Sequence, residues 1–170
     1  RNGGLSLTPG EKTFDTAFAK YLVDYRTQGG RSGVSSQLKE FDEIIANLES
    51  SPGLITGRAI SLQPRMTRPD ISIDTQDRVE KIITQGLRVT LGAAFTEGEA
   101  KAFIDRSFNI MLPESINADR LRRVREAMEK ASDQMFKAGA YYDEKGSMQG
   151  YRELPELLDL DKGMYRMSDY

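Results

Sequence analysis

Glu114, followed by Ser115 and set just after the Leu112-Pro113 break, is the carboxylate best placed for chemistry. A partly buried glutamate can protonate the leaving oxygen of a glycosidic bond. The same residue is also explained as an acid at a helix start, where the macrodipole favours negative charge, and that plainer reading is adopted. Asp159-Leu160-Asp161-Lys162-Gly163 has the look of a calcium loop, but its glycine falls one position early and no distal glutamate follows, so it reads as a turn. Arg120, Arg122, Arg123 and Arg125 cluster in basic sequence and are candidates for nucleic-acid contact. Consecutive arginines spread around a helix, so a solvated face with Glu126 and Glu129 as partners is favoured over phosphate binding. No phosphate-binding glycine loop is present.

The composition closes most other routes to catalysis. There is no histidine, cysteine or tryptophan among 170 residues. The commonest general base and metal ligand is therefore missing, together with thiolate chemistry, disulfides and cysteine-bound metal. No cofactor and no metal site is expected. With 24 Lys and Arg against 26 Asp and Glu, the net charge of −2 offers no global attraction to nucleic acid or acidic lipid. No apolar run reaches the ~20 residues needed to span a bilayer, so a soluble domain of one core is expected. The opening Arg1-Asn2-Gly3-Gly4 lacks an initiator methionine, which is expected either of a processed mature chain or, the reading favoured, of a part of a longer one.

The elements that would position these residues are helices throughout. Leu121, Val124, Met128, Ala131, Met135, Ala138 and Tyr142 recur at alternating steps of three and four, which predicts one long amphipathic helix whose seam must bury against neighbouring helices or another chain. It is expected from Asn117, as cap, to Glu144-Lys145, with Gly146 just past its end. A first helix from Thr8 or Pro9 to Gln28 carries Phe14, Ala17, Phe18, Tyr21, Leu22 and Tyr25, opened by a Thr8–Glu11 capping box and stopped by Gly29-Gly30. A second, Ser32 to Glu49, turns Val34, Leu38, Phe41, Ile44, Ile45 and Leu48 inward, and the short connection predicts an antiparallel hairpin. A third from Asp74 or Thr75 to Leu91 buries Val79, Ile82, Ile83, Leu87 and Leu91, and a fourth from Thr96 to Phe108 buries Ala100, Phe103, Ile104 and Phe108. Gly98 inside that fourth helix costs about 1 kcal/mol against alanine and suggests close helix packing.

Between the second and third helices, residues 52–73 lose periodicity and gain prolines and glycines. This extended loop, with Arg58, Arg65 and Arg68, is either a contact surface or a solvated connector anchored by Ile55, Ile60 and Leu62. The chain thus divides into a leader (1–10), an all-α domain of about five helices (11–146) and a C-terminal tail (147–170). The tail holds Tyr151, Leu154, Leu157, Leu158, Met164, Tyr165, Met167 and Tyr170, which either form an interface or fold back as core.

Two stretches carry a family resemblance. In the segment 86–109, Leu87, Arg88, Leu91, Gly92, Ala93, Phe95, Thr96, Glu97, Glu99, Arg106, Phe108 and Asn109 resemble a pattern in virion-associated proteins of tailed bacteriophages, of undefined role. Residues 141–151, with an aromatic pair, acids and two glycines, are similar to the end of the same module, and Glu11 to Lys20 to its beginning. The resemblance implies a non-enzymatic structural component of the virion, a helical module in the head-tail or DNA-ejection apparatus that contacts portal, adaptor or internal proteins, with homo-oligomerisation as a further option. It transfers no catalytic residue. Two other readings stand behind it: a DNA-contacting protein ejected with the genome, using Arg120 to Arg125, and the helical part of a larger peptidoglycan-degrading ejection protein. The last rests on Glu114-Ser115, which resembles the glutamate-serine pair of lytic transglycosylases without their Gly-Leu-Met-Gln segment.

Overall fold

Thr8 opens the first helix as its sequence predicts: its side chain accepts from the Glu11 amide while the Glu11 carboxylate accepts from the Thr8 amide at 2.7 Å. The computed structural model describes residues 7–91 and 97–151, and among these the chain is all-helical. Its helices are α1 (Pro9–Thr27), α2 (Gly30–Ser50), a short α3 (Arg58–Ser61), α4 (Asp70–Leu91), α5 (Glu97–Ser107) and α6 (Glu114–Lys145), with a 3-10 turn at Arg65–Thr67. No described helix is long and apolar enough to cross a membrane.

The long seam is satisfied inside the chain. Leu121, Val124, Met128, Ala131, Met135 and Ala138 are all buried, and Tyr142 is half-buried against the Phe18 ring, 5.5 Å between centroids. The helices that cover it are arranged differently from the expected hairpin. Along α2, Arg31 pairs with Asp133 at 3.0 Å, Asp42 with Arg125 at 2.7 Å and Glu49 with Arg122, so α2 runs antiparallel to the first two-thirds of α6. Along α1, Tyr25 bonds Ser132 Oγ at 3.0 Å, Leu22 lies against Gly139, and Asp15 accepts from the Met148 amide at 2.8 Å. Thus α1 runs in the same sense as α2, over the remaining third of α6 and the turn beyond it. The two helices follow each other end to end along one partner.

The joint is built from glycine. Gly29 and Gly30 have φ of 93° and 53°, a left-handed conformation that other residues rarely adopt, and they redirect the chain by breaking the helix for a single step. The face of α1 shifts with this arrangement. Phe14 and Ala17, expected inward, are exposed, while Asp15 takes the buried position below Phe18, Leu22 and Tyr25.

α4 packs on α2 in the opposite sense and therefore parallel to α6. Arg78 bonds Glu40 and Glu43, and a Cβ on Gly86 would meet Met128 Sδ at 2.7 Å, so the glycine lets α4 approach α6 closely. Val79, Ile82 and Ile83 are fully buried there; Leu87 and Leu91 are side chains outside those described. α4 begins at Asp70, four residues before the expected cap, because Ser72 is drawn into the core by a 2.5 Å bond from its hydroxyl to the Ile55 carbonyl. α5 returns the chain to α6, burying Phe103, and Phe108, the residue after its end, is buried as well. The Thr96 cap, Gly92 and Phe95 lie outside the described residues. Gly98 is exposed, and a Cβ added there would meet nothing within 4 Å, so it marks no close packing.

Gly33 is the sharpest steric test of the end-to-end joint. It sits within α2, where alanine is ordinarily worth about 1 kcal/mol more than glycine. A Cβ there would lie 2.5 Å from the Gln28 backbone carbonyl, which cannot yield without undoing the joint. Gly33→Ala is expected to destabilise the protein by about 2 kcal/mol or more in urea unfolding, whereas Gly98→Ala should be neutral or stabilise by up to ~1 kcal/mol.

Candidate functional site

At the N-terminal end of α6, chain segments that lack helical hydrogen bonds of their own converge, and their amides need partners. Glu114 supplies them. Its Oε1 accepts from the backbone amides of Gly53 at 2.9 Å, Ile55 at 3.1 Å and Thr56 at 3.0 Å, so one carboxylate fixes the loop that leaves α2. Asn117, one turn on, does the same for the 108–113 turn. It accepts from the Asn109 amide at 2.9 Å and donates to the carbonyls of Asn109 and Leu112 and to the Thr56 hydroxyl. A bond of 2.7 Å from the Gly57 amide to the Ile110 carbonyl joins the two loops directly. Asn117 is therefore inside α6, fully buried, and is not its cap; Pro113 precedes the helix and Glu114 is its first residue.

The electrostatics of Glu114 follow from this cradle. Burial raises its carboxyl pKa, but the amides of Thr56, Glu114 itself, Gly53 and Ile55 together outweigh that and hold it below the usual carboxylate range. A general acid needs the opposite displacement, because it must keep its proton near neutral pH. Ser115 beside it is exposed. The arrangement can hold two loops rigid; it does not arrange a proton for delivery.

What those loops present is apolar. Of eight large hydrophobic side chains left exposed among the described residues, four belong here, Met66 at 96%, Leu62 at 74%, Met111 at 60% and Leu54 at 54%, and a fifth, Ile71, is in the first turn of α4 that follows. Leu62, expected as an anchor, is thus outward, while Ile55 and Ile60 are buried as anchors should be. Arg68 folds across the segment, donating to the Gln63 carbonyl at 3.0 Å and the Ser61 carbonyl at 3.2 Å, the two carbonyls that flank Leu62. Arg65 pairs with Asp77 at 2.5 Å, and Arg58 is exposed. Residues 51–69 include no acid, and with Arg65 paired to Asp77 the charges left to this apolar segment are those of Arg58 and Arg68.

The other candidate residues fall elsewhere. Arg122 bonds Glu49 and Asp119, and Arg125 bonds Asp42 and Glu129, tying α6 to α2. Glu126, expected beside Glu129 as a partner of this cluster, is an exposed residue further round the helix. Arg120 donates to the Arg106 carbonyl, and Arg123 is exposed. Of the tail, Ser147 and Met148 are buried and Tyr151 is half-buried with its ring 5.0 Å from that of Tyr141, so these residues fold back. Leu154, Leu157, Leu158, Met164, Tyr165, Met167 and Tyr170 lie outside the described residues, as does the 159–163 turn. Among the described residues, no group of three or more acidic side chains is disposed to hold a metal ion.

One sign of the Glu114 cradle is legible in the sequence, an acid at the start of a helix, but its partners are not, being backbone amides about 60 residues away. Comparison with known proteins finds no matching family model, and no curated protein or solved structure that matches significantly.

Replacing Glu114 tests the cradle. Glu114→Ala leaves three amides without an acceptor and is expected to cost about 3 kcal/mol or more, and Glu114→Gln, which keeps an acceptor but not the charge, about 1–2 kcal/mol. Because the folded carboxyl is held low, its contribution is complete above the ordinary carboxylate range and is lost as pH falls through the folded value. Unfolding free energies measured from pH 6 down to pH 3 should therefore converge for wild type and Glu114→Gln; parallel curves would show that the charge is not what the cradle uses.

Proposed function

We propose that this chain is a non-enzymatic structural module of a tailed-bacteriophage particle, acting through protein–protein contacts in the head-tail or DNA-ejection apparatus, with the loop end of the helical domain as its contact surface. The observation that carries the contact role is the group Leu54, Leu62, Met66 and Met111, left in water on segments tied down by Glu114 and Asn117 around Leu54 and Met111 and by Arg68 and the Arg65–Asp77 pair around Leu62 and Met66. Exposed apolar side chains on a preorganised frame are what an interface offers, since little ordering entropy remains to be lost on docking. The virion setting is supported by the resemblance of residues 86–109 and 141–151 to virion-associated proteins, and portal, adaptor or internal proteins are the partners that setting suggests. The DNA-contacting reading gains nothing from the bonding of Arg122 and Arg125, whose charges face carboxylates of α2 and α6. The peptidoglycan-degrading reading gains nothing from a glutamate held ionised.

The test is mass spectrometry of density-purified particles released from cells that carry the gene. The chain is expected at a stoichiometry comparable to the head and tail proteins, and Leu62→Glu/Met66→Glu is expected to drop out of particles at least tenfold while its urea midpoint stays within error of wild type. Recovery of the wild-type chain only in the particle-free lysate would overturn the proposal.

A further inference from the structure

The loop end selects a particular occupant, and the same chain contains a segment of the right chemistry. Residues 153–161, Glu-Leu-Pro-Glu-Leu-Leu-Asp-Leu-Asp, hold four leucines and four acids and no base. The loop 51–69 has no acid of its own, and with Arg65 paired to Asp77 its remaining charges are Arg58 and Arg68, in the segment that carries Leu54, Leu62 and Met66. Apolar faces apolar and negative faces positive, the complementarity that steers and registers a contact.

Reach decides between one copy and two. Tyr151 is fixed beside Tyr141, whereas the loop is fixed at Glu114, and about 40 Å of α6 lies between those positions at ~1.5 Å per residue. A chain extends at most ~3.6 Å per residue, so Leu157 and Leu158 lie within about 25 Å of Tyr151 whatever path they take. They fall short of the loop end of their own domain. Resting on the reading of the loop end as a contact surface, we infer that the acidic leucine segment 153–161 of one copy docks on the loop end of a second copy, with Leu157 and Leu158 against Leu62 and Met66 and with Arg58 and Arg68 facing the acids. The contact is heterologous, because the two surfaces differ. It propagates from copy to copy, closing into a ring if the rotation permits and otherwise extending as a filament.

A mixing experiment on the full chain tests this, read by light scattering and sedimentation across concentration. The wild type is expected to assemble beyond the dimer as concentration rises, and more weakly in high salt. Leu62→Glu/Met66→Glu and Leu157→Glu/Leu158→Glu should each stay monomeric to at least tenfold higher concentration, with unchanged circular dichroism. Mixed one to one, the two variants should form a dimer and stop, since between them they have one intact loop and one intact segment. A labelled peptide of residues 152–162 should bind the segment variant and not the loop variant. A wild type that is monomeric at every concentration and does not bind the peptide overturns the inference, as does a mixture that gives no dimer. Assembly lost in the loop variant but kept in the segment variant also overturns it, while leaving the loop end standing as a contact surface; particle incorporation is read separately and is indifferent to either result.

Discussion

The burial of one apolar seam along α6 is the constraint on which the rest of the structure depends. At 32 residues α6 is about 48 Å long, and α1 and α2, at 19 and 21 residues, are each near 30 Å. Neither alone can cover the seam. An antiparallel hairpin of the two would double the cover over one half and leave the other in water, at about 25 cal/mol for each Å² of apolar surface so exposed. Laying them end to end covers α6 from Ala118 to Tyr142, and the chain then needs a sharp redirection that does not lengthen the connection. Gly29 and Gly30 at positive φ provide it, and Gly33, one turn later, leaves room for the Gln28 carbonyl that the redirection brings close.

Covering the far end of α6 sets the second problem. Where α2 ends at Ser50 and α5 ends at Ser107, two irregular segments must cross the start of α6, and each brings backbone amides and carbonyls into a region poor in water. An apolar lid cannot satisfy them. Glu114 and Asn117 do, the first as an acceptor for three amides and the second as donor and acceptor together. The apolar side chains of these segments are then divided by the geometry. Ile55 goes inward with the backbone that Glu114 and Ser72 hold, and its neighbour Leu54 goes outward for the same reason; Ile60 is buried and Leu62 exposed where the single turn of α3 places them.

Periodicity makes the helices legible, and where helices end it stops being a guide. The seam of α6, the inward set of α2 and the Thr8–Glu11 box are all visible in the sequence because each is a relation between residues within a turn or two. The pairing of α1 with α6 is not, since a short glycine connection is as consistent with continuation as with reversal; the sign that separates them is Gly33, a third glycine that a hairpin would not require. Phe14 misleads because a phenylalanine on the right side of a helix outweighs an aspartate in any count of hydrophobic positions, although Asp15 is buried by a bond from the Met148 amide that sequence spacing does not reveal. Asparagine is so common at helix starts that Asn117 reads as a cap, yet the full use of its donor and acceptor groups requires a place inside the helix, facing the turn before it.

The distribution of charge bears on which surfaces remain for partners. Arg31, Arg78, Arg122 and Arg125 all face carboxylates on a neighbouring helix, and each such exposed pair contributes at most about 1 kcal/mol, so their effect is on register more than on stability. They fix which turn of α2 lies beside which turn of α6 and α4. The loop 51–69 differs in part: Arg65 pairs with Asp77 of α4, but the loop has no acid of its own, and the bonds that Arg68 makes to the Ser61 and Gln63 carbonyls shape it without neutralising the charge. Beside helices tied together by ion pairs, this end of the domain is left with exposed apolar side chains and the charges of Arg58 and Arg68, on a backbone whose loop amides Glu114 has already satisfied.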